Sequence, residues 1–556
     1  MPHDSASKPH HRALDHLGDF TTTRRVIPIA GLAVCIGVFA AYVAAALLRL
    51  INFFTNLFFY QRFSTAFASP ASHHLGPYVI LVPVAGGLVV GLMARYGSER
   101  IRGHGIPEAI EAILMHGSRV EPKVALLKPV SAAISIGSGG PFGAEGPIIM
   151  TGGAFGSLIA QFFHLTASER KTLLVAGAAA GMSATFAAPV ASVVLAVELL
   201  LFEWKPRSVI PVALASVTAA AVRRHILGLG PLFAVPAHPA FIGWEGLLGC
   251  VVVGVLAGVL SAMLTAGVYA SEDAFQRLPI HWMWWPAIGG LIIGIGGWLF
   301  PQALGVGYDV IGGLLQPNPS MRIIAGVLIV KSSIWALSLG SGTSGGVLAP
   351  LLMMGAALGG LEARFLPFEG WGFWPLVSMG AILGGTMRAP LTGVVFALEL
   401  THDVNMLLPL LLAVTIAHAF TVLTLRRSIL TEKISRRGYH LTREYSTDPL
   451  EIIFAREVSR AGDSSPASEA ERRGVAVYAD DPLRLVAFRM AETGLTRLPV
   501  ISREDGSRVG MIELSDLLTA RSRLLEAEQR RERHLGTREQ LRAIAALFGG
   551  DRRRAS

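Results

Sequence analysis

Charged residues are scarce in this chain of 556 residues. Asp, Glu, Lys and Arg together make up 16% of the sequence, and hydrophobic residues make up 52%, whereas a soluble domain carries about 25% charged residues. The stretches without any charged residue include Val26–Leu48, Pro77–Ala94, Gly246–Ser271 and Val404–Leu425. Because a helix needs about 20 apolar residues to cross the hydrocarbon core of a bilayer, the sequence predicts a protein that crosses the membrane several times.

Cysteine is nearly absent as well. Cys35 and Cys250 both lie in apolar segments, which excludes a disulfide framework and a cysteine metal site. The histidines, including the pair His73–His74 and the lone His418, do not have the spacing of metal ligands. We therefore expect neither a metal nor another cofactor.

The formal net charge is +9, and its placement is informative. The arginine pairs Arg24–Arg25 and Arg426–Arg427 flank the first and last apolar segments. By the positive-inside rule, both termini of this multi-pass cell-membrane protein are then cytoplasmic. Because arginine next to membrane lipid also accounts for the excess of basic over acidic residues, we expect no nucleic-acid partner.

Composition divides the chain into five parts. We expect a disordered N-terminus over 1–25, a membrane transport domain over 26–425, a linker over 426–450, a small α/β domain over 451–524 and an Arg-rich tail over 525–556. Gly and Pro interrupt many apolar segments of the membrane part. Such broken helices are tolerated only around a protein-lined or water-filled path, so the predicted fold is an all-α polytopic membrane protein with broken helices.

An internal repeat runs through the membrane part at an offset of 203 positions (331 minus 128). The matches include Lys128 with Lys331, Ser138 with Ser341, Gly143 with Gly346 and Pro147 with Pro350, and after a two-residue deletion Glu198 with Glu399. Two homologous halves imply inverted repeats related by a pseudo-twofold axis. Transporters built this way place the substrate where the broken helices of the two halves meet.

Three Gly/Pro clusters mark such helix breaks. They are Gly103-His104-Gly105-Ile106-Pro107, Gly143-Ala144-Glu145-Gly146-Pro147 and Gly346-Val347-Leu348-Ala349-Pro350. In each, proline suits the first turn of a helix, and the preceding glycines leave the backbone uncovered. Free N–H groups and the positive end of the helix dipole make an anion site, and a partial charge holds an anion weakly enough for release.

Glu145 is the exceptional side chain in these clusters, since an ionisable group inside a membrane is costly and marks a functional site by default. Its carboxylate can occupy the same helix N-terminus as an anion, and protonation would release it. The alternative is a capping glutamate without a transport role.

These three clusters, in this order and spacing, resemble the CLC family of chloride channels and chloride/proton antiporters over roughly Val26 to Gly438. The resemblance implies a homodimer with one anion pathway per subunit. It also implies that Glu145 is the external gating glutamate, and that the backbone at Val347 and Leu348 lines the central site for chloride or another small anion.

Three positions depart from the family pattern. His104 stands where the family usually has Ser, and Leu430, in Ser428-Ile-Leu-Thr-Glu-Lys433, stands where it has a pore-lining Tyr. Both make chloride selectivity an open question. Leu199 replaces the internal proton glutamate of the antiporters, which leaves Glu198 and Glu203 as proton-pathway candidates and predicts a channel-like or weakly coupled protein. The alternative is a proton-coupled antiporter of chloride, fluoride or nitrate.

For His104 and Glu198, a purely structural role is the alternative. The imidazole of His104 either donates a hydrogen bond to the anion or packs away from the anion pathway. Glu198 matches Glu399 across the repeat, which favours capping or pairing with a buried partner over a proton relay.

The segment Ala479–Ala520 resembles a CBS (cystathionine-β-synthase) motif. The resemblance is carried by Asp481-Pro-Leu, Leu498-Pro-Val, Gly510-Met-Ile and Ser515-Asp-Leu. It implies that Asp516 could hold the ribose of a nucleotide, or that the segment serves dimerisation or stability.

The competing functions are an intramembrane hydrolase built on Ser138 and His418, and a sensor in which the tail is the working part. Ser138 recurs as Ser341, as a structural element would, so no enzyme is expected.

Overall fold

A computed structural model describes residues 22–228, 230–239, 241–438, 450, 453–460, 470 and 474–522. The chain divides into two compact units, residues 1–443 and 444–556. The predictions for residues 1–21, for most of the linker and for 525–556 concern parts of the chain outside the described residues.

The described part of the first unit is helical. Its first half contains α1 (Val26–Tyr60), α2 (Leu81–Tyr96), α3 (Ile106–Met115), α4 (Pro122–Gly137), α5 (Glu145–Gln161), α6 (Ala167–Phe186), α7 (Pro189–Ala196), α8 (Pro206–Leu227) and α9 (Trp244–Gln276). Its second half contains α10 (Trp285–Leu299), α11 (Tyr308–Leu314), α12 (Met321–Gly326), α13 (Ser332–Gly340), α14 (Leu348–Glu362), α15 (Phe373–Met387), α16 (Pro390–Thr401), α17 (Leu407–Thr424) and α18 (Ile429–Arg436). Five-residue π-helical segments, Val197–Leu201 and Val327–Lys331, extend α7 and join α12 to α13.

Within the described residues, seven helical stretches are long and apolar enough to cross a membrane. They are Val26–Tyr60, Gly76–Tyr96, Pro206–Leu227, Trp244–Gln276, Trp282–Leu299, Met321–Gly340 and Val404–Arg436. The four charge-free stretches named above each fall within one of them. The prediction of a polytopic membrane protein is confirmed.

Other apolar helices are too short to span. α14 and α15 have 15 residues each, about 22 Å of helix, against a hydrocarbon core of about 30 Å. The shorter α7 and α16 begin at Pro189 and Pro390. These are the broken helices that the Gly and Pro pattern predicts.

The centre of the first unit is built from helices that are buried on all sides. α6 buries every residue from Thr172 to Phe186, and α15 buries every residue from Phe373 to Met387. Close packing requires small residues: a Cβ on Gly152 of α5 would collide with the backbone of Gly177 in α6. Such small-residue contacts are how membrane helices approach one another, and they hold the short helices in the middle of the unit.

Each half of the repeat caps the N-terminus of a helix in the other half. Glu198 accepts hydrogen bonds from the N–H groups of Leu391 (3.1 Å) and Thr392 (2.9 Å) at the start of α16. Glu399, at the end of α16, accepts from Val190 (3.0 Å) and Ala191 (2.7 Å) at the start of α7. A carboxylate at a helix N-terminus is favourable, and this exchange is the arrangement expected from a pseudo-twofold axis.

The second unit contains a three-stranded sheet in the order β1-β2-β3. β1 (Val477–Tyr478) runs parallel to β2 (Arg497–Ile501), which pairs antiparallel with β3 (Arg508–Glu513). Helix α20 (Leu483–Thr493) connects β1 to β2, and a further helix covers 514–522. The small α/β fold that the sequence predicts for this region is confirmed. The unit also contains the short helix α19 (Ala455–Val458).

Candidate functional site

The three Gly/Pro clusters meet in the first unit. The N–H of Gly103 donates to the carbonyl of Thr343 (3.0 Å), just before the third cluster. Gly143 and Gly346, which match across the repeat, exchange two backbone hydrogen bonds of 2.9 and 2.7 Å. The clusters are therefore joined through their backbones, although about 200 positions separate the two halves.

Only glycine permits this approach. A Cβ on Gly105 would collide with the backbone of Gly146, and a Cβ on Gly146 would collide with the carbonyl of His104 and lie 3.2 Å from Cα of Gly346. The helices α3, α5 and α14 begin within the three clusters, at Ile106, Glu145 and Leu348. The N-termini of three broken helices thus converge, with Pro107, Pro147 and Pro350 in their first turns.

The side chain of Glu145 lies at this convergence and is fully buried. Its Oε1 accepts a hydrogen bond from the N–H of Ala349 (3.2 Å) in the first turn of α14, and the hydroxyl of Tyr308 lies 3.5 Å away. Its Oε2 lies in the space that a Cβ on Gly143 would fill, 2.8 Å from the position of a Cβ on Gly346. Among the described residues, Oε2 has no hydrogen-bond partner.

This position has a direct chemical consequence. The carboxylate of one repeat occupies the N-terminus of a helix from the other repeat, where backbone N–H groups and the helix dipole favour negative charge. A small anion and the carboxylate of Glu145 would require the same groups. A small anion bound to these N–H groups would have to displace the carboxylate of Glu145.

A cavity of about 700 Å³ leads to His104 from the face where α18 lies. His104 is 3% exposed, and its Nδ1 has no hydrogen-bond partner among the described residues. Beside it, Glu108 accepts from the N–H of Gly105 (2.7 Å) and pairs with Lys433 of α18 (3.0 Å). Leu430, on the same helix as Lys433, is fully buried. Of the two positions that the family resemblance singles out on this side, His104 lines the cavity, and Leu430 lies on α18 three residues before Lys433, which also lines it.

Two buried lysines hold the turns that precede the broken helices. Lys128 donates to the carbonyls of Ile101 and Gly103, both at 2.8 Å, and Lys331 donates to the carbonyl of Gly305 at 2.7 Å. Both ammonium groups are inaccessible to solvent. A charge in this environment is tolerated only when hydrogen-bonded, so each lysine fixes the glycine turn beside it.

The sequence reasoning missed a fourth cluster, Gly305-Val306-Gly307, before α11. Gly103 and Gly105 have φ values of 89° and 91°, and Gly305 and Gly307 have φ values of 67° and 80°. The spacing of 202 positions (305 minus 103) and the match of Lys128 with Lys331 were the signals that could have revealed it. Tyr308, the first residue of α11, was missed with it.

The proton-pathway candidates, Glu198 and Glu203, have structural roles of their own. Glu198 caps α16, as described above, and Leu199 lies in the π-helical segment. The helix ends before Glu203, because Phe202 has a left-handed backbone with φ 52°. Glu203 accepts from the hydroxyl of Ser208 (2.7 Å) and lies 3.6 Å from Lys205. The condition for Glu203 to replace a carboxylate at position 199, a helix continuing through Phe202, is not met.

The remaining candidates make local contacts. Ser138 donates to the carbonyl of Ser135 and Ser341 donates to that of Ser338, so both serines close a helix end in the same way. Asp516 accepts from the N–H of Glu513 (2.9 Å) and pairs with Arg460 (2.7 Å). A ribose at Asp516 would have to share this carboxylate with Arg460.

Comparison with known proteins relates most of this chain to chloride channels and chloride exchangers. The family model for the voltage gated chloride channel matches residues 86–422, and the CBS domain model matches residues 468–523. A putative chloride channel protein, ClcB-like, from Ralstonia nicotianae is 31% identical over 402 residues, covering 70% of this chain and 91% of the relative. An H⁺/Cl⁻ exchange transporter, ClcA, from Yersinia pestis is 32% identical over 342 residues, covering 58% of this chain and 69% of the relative.

Solved structures show the same fold. A slow cyanobacterial Cl⁻/H⁺ antiporter superposes with a TM-score of 0.64 at 22% identity, covering 74% of this chain and 97% of that one. A CLC-type fluoride/proton antiporter superposes with a TM-score of 0.62 at 19% identity, covering 72% and 97%.

Proposed function

The chain belongs to the CLC family of anion transport proteins of the membrane, and on this premise we propose that it carries small inorganic anions, chloride foremost, through a pathway gated by Glu145. The observation that supports the gate is the buried carboxylate of Glu145 at the N–H of Ala349, where the N-termini of three broken helices converge. The anion would replace this carboxylate, and the backbone at Val347 and Leu348 would line its site.

Flux from liposomes tests this function. Purified protein is reconstituted, and the loss of chloride, fluoride and nitrate is followed in parallel at set pH values. We expect protein-dependent movement of at least chloride, faster in acid, because protonation of Glu145 removes its competing charge. If none of the three anions moves faster than from protein-free vesicles at any pH, the proposal is overturned.

The arrangement in the membrane is part of the proposal. We place both termini and the face of α18 in the cytoplasm, because the pairs Arg24–Arg25 and Arg426–Arg427 flank the outermost apolar segments. The family resemblance supports a homodimer with one pathway per subunit. The CBS domain would dimerise or bind a nucleotide at Asp516, in competition with Arg460.

Selectivity is predicted to depend on His104 and Leu430. At His104 and Leu430 this chain lacks the Ser and Tyr hydroxyls of the family pattern, and a hydrogen bond to a charged partner is worth roughly 1.5–3 kcal/mol. The double variant His104→Ser with Leu430→Tyr should therefore prefer chloride over fluoride and nitrate more strongly than the parent does. Relative fluxes in liposomes measure this preference. If the double variant shows the parent's ratios, these two positions do not line the site.

Proton coupling is predicted to be weak or absent. Leu199 cannot titrate, Glu198 is held at the N-terminus of α16, and Glu203 lies beyond the end of its helix. The reversal potential of reconstituted protein under a proton gradient should then follow the anion gradient alone.

A fixed-ratio uphill movement of protons would contradict the coupling prediction and favour the alternative, a proton-coupled antiporter. The ClcA relative is an H⁺/Cl⁻ exchange transporter and both solved structures are those of proton antiporters, so the alternative has specific support. In that case Glu203→Gln would test whether the proton still passes by this carboxylate.

A further inference from the structure

We infer that Tyr308 is a positioning residue for the gate: its hydroxyl holds the carboxylate of Glu145 at the N-terminus of α14. In doing so it sets the pH at which the pathway opens. The inference deepens the proposed function and rests on it. It assigns a role to a residue in the fourth glycine cluster, which the sequence reasoning missed.

The contact is specific to the carboxylate oxygen that already lies in the site. The hydroxyl of Tyr308 is 3.5 Å from Oε1 of Glu145, the same oxygen that accepts from the N–H of Ala349 at 3.2 Å. A phenol can donate to an ionised carboxylate and gains most when its acceptor carries charge. The hydroxyl therefore favours the ionised carboxylate in the site over a protonated or withdrawn one.

The ring of Tyr308 is held in place by two aromatic neighbours. Phe186, the last residue of α6, packs edge-on with 6.2 Å between ring centroids, and Phe233 lies at the same distance with a tilt of 54°. Phe186 is fully buried and Phe233 is 3% exposed. Removing only the hydroxyl would leave both contacts intact, so the oxygen and the ring can be tested separately.

Phe233 is in turn fixed by backbone and side-chain contacts of the segment that carries it. Its N–H donates to the carbonyl of Leu400 (3.0 Å). Further along the segment, the ring nitrogens of His238 lie 2.6 Å from Asp403 and 3.0 Å from the carbonyl of Trp371. The segment behind Tyr308 is therefore tied to the end of α16 at Leu400, to the link between α16 and α17 at Asp403, and to the residue Trp371 before α15. These contacts limit the freedom of the Tyr308 ring to move away from Glu145.

Other titratable groups also face this region and would remain in a variant of Tyr308. Lys331 reaches the turn before α11 and donates to Gly305, and Asp309, next in sequence to Tyr308, accepts from Ser69 (2.8 Å). His238 lies on the segment that carries Phe233 and pairs with Asp403, and the carbonyl of His104 lies against Gly146. Because none of them is altered, a change in pH dependence on loss of the hydroxyl reports on its contact with Glu145.

The test is Tyr308→Phe, with the pH profile of chloride flux in liposomes as the readout. Loss of the donor should weaken the closed arrangement, so flux near neutral pH rises and the midpoint moves to higher pH by about one unit, a tenfold change in proton affinity. Flux at the acid plateau should stay within about twofold, because a freed carboxylate no longer needs the hydroxyl. Tyr42→Phe, on an exposed ring of α1, is the matched control and should leave the midpoint in place.

Two further results separate this inference from the function on which it rests. In a Glu145→Gln background, Tyr308→Phe should have no effect on the pH profile, because the group through which it acts is gone. If Glu145→Gln abolishes the pH dependence but Tyr308→Phe leaves the midpoint unchanged, or only lowers flux at every pH, the inference is wrong and the gate stands. If the parent protein moves no anion, the proposed function fails and the inference fails with it.

Discussion

Replacing Glu145 with Gln or Ala is expected to remove most of the pH dependence of anion movement. Neither side chain can ionise, so neither can compete with an anion for the N–H groups at the start of α14. Flux at neutral pH should rise toward the acid plateau of the parent, a difference of about tenfold if the competing carboxylate is stabilised by about 1.4 kcal/mol. Chloride efflux from liposomes over a range of pH measures both effects.

Glu362 provides a matched control for this prediction. It is another buried carboxylate, 5% exposed, and it is the last residue of α14, at the opposite end of that helix from Leu348, about 21 Å away. Glu362→Gln should keep the pH dependence of the parent, because its carboxylate does not reach the convergence of helix N-termini. If Glu145→Gln and Glu145→Ala both keep that dependence too, Glu145 is a capping glutamate and the gate must lie elsewhere.

Gly146→Ala is expected to abolish transport in a protein that still assembles. The new Cβ would collide with the carbonyl of His104 and lie 3.2 Å from Cα of Gly346, and these are backbone atoms, unable to rotate away. The three helix N-termini would be forced apart, and we expect flux to fall by at least about tenfold, the equivalent of ~1.4 kcal/mol, within the usual range for overpacking. Flux in liposomes measures the loss, and gel filtration together with thermal unfolding checks assembly.

A second glycine of the same helix controls for helix effects. A Cβ on Gly153 would lie 3.3 Å from a side-chain carbon of Leu174 and 3.4 Å from its carbonyl, so a shift of a few tenths of an ångström accommodates it. Gly153→Ala should therefore transport nearly as well as the parent. Normal flux through Gly146→Ala would mean that the close approach of the clusters is not needed for the pathway.

Much of this site could be predicted because it is encoded in local patterns. The charge-free stretches indicated the spans, and the repeat indicated that its two halves meet at their helix breaks. Gly143 and Gly346 match in sequence and bond in the structure. The exchange of caps between Glu198 and Glu399 likewise follows from their positions in the repeat.

The contacts that could not be predicted connect distant positions without a local signature. Tyr308 meets Glu145 across 163 positions, and only the packing of Phe186 and Phe233 places its hydroxyl there. The pairing of Glu108 with Lys433 depends on where α18 returns to the unit. Periodicity describes one helix at a time, so it does not reveal which side chains different helices bring together.

The central claim is that the carboxylate of Glu145 and a small anion compete for one site. Chloride binding to the purified protein by titration calorimetry, with the parent and Glu145→Gln compared at neutral and acid pH, tests it most directly. At neutral pH the variant should bind chloride about tenfold more tightly or better, a difference of at least ~1.4 kcal/mol. In acid the difference should shrink, because the parent's carboxylate is then neutral. Equal Kd values for the two proteins at every pH would contradict the account.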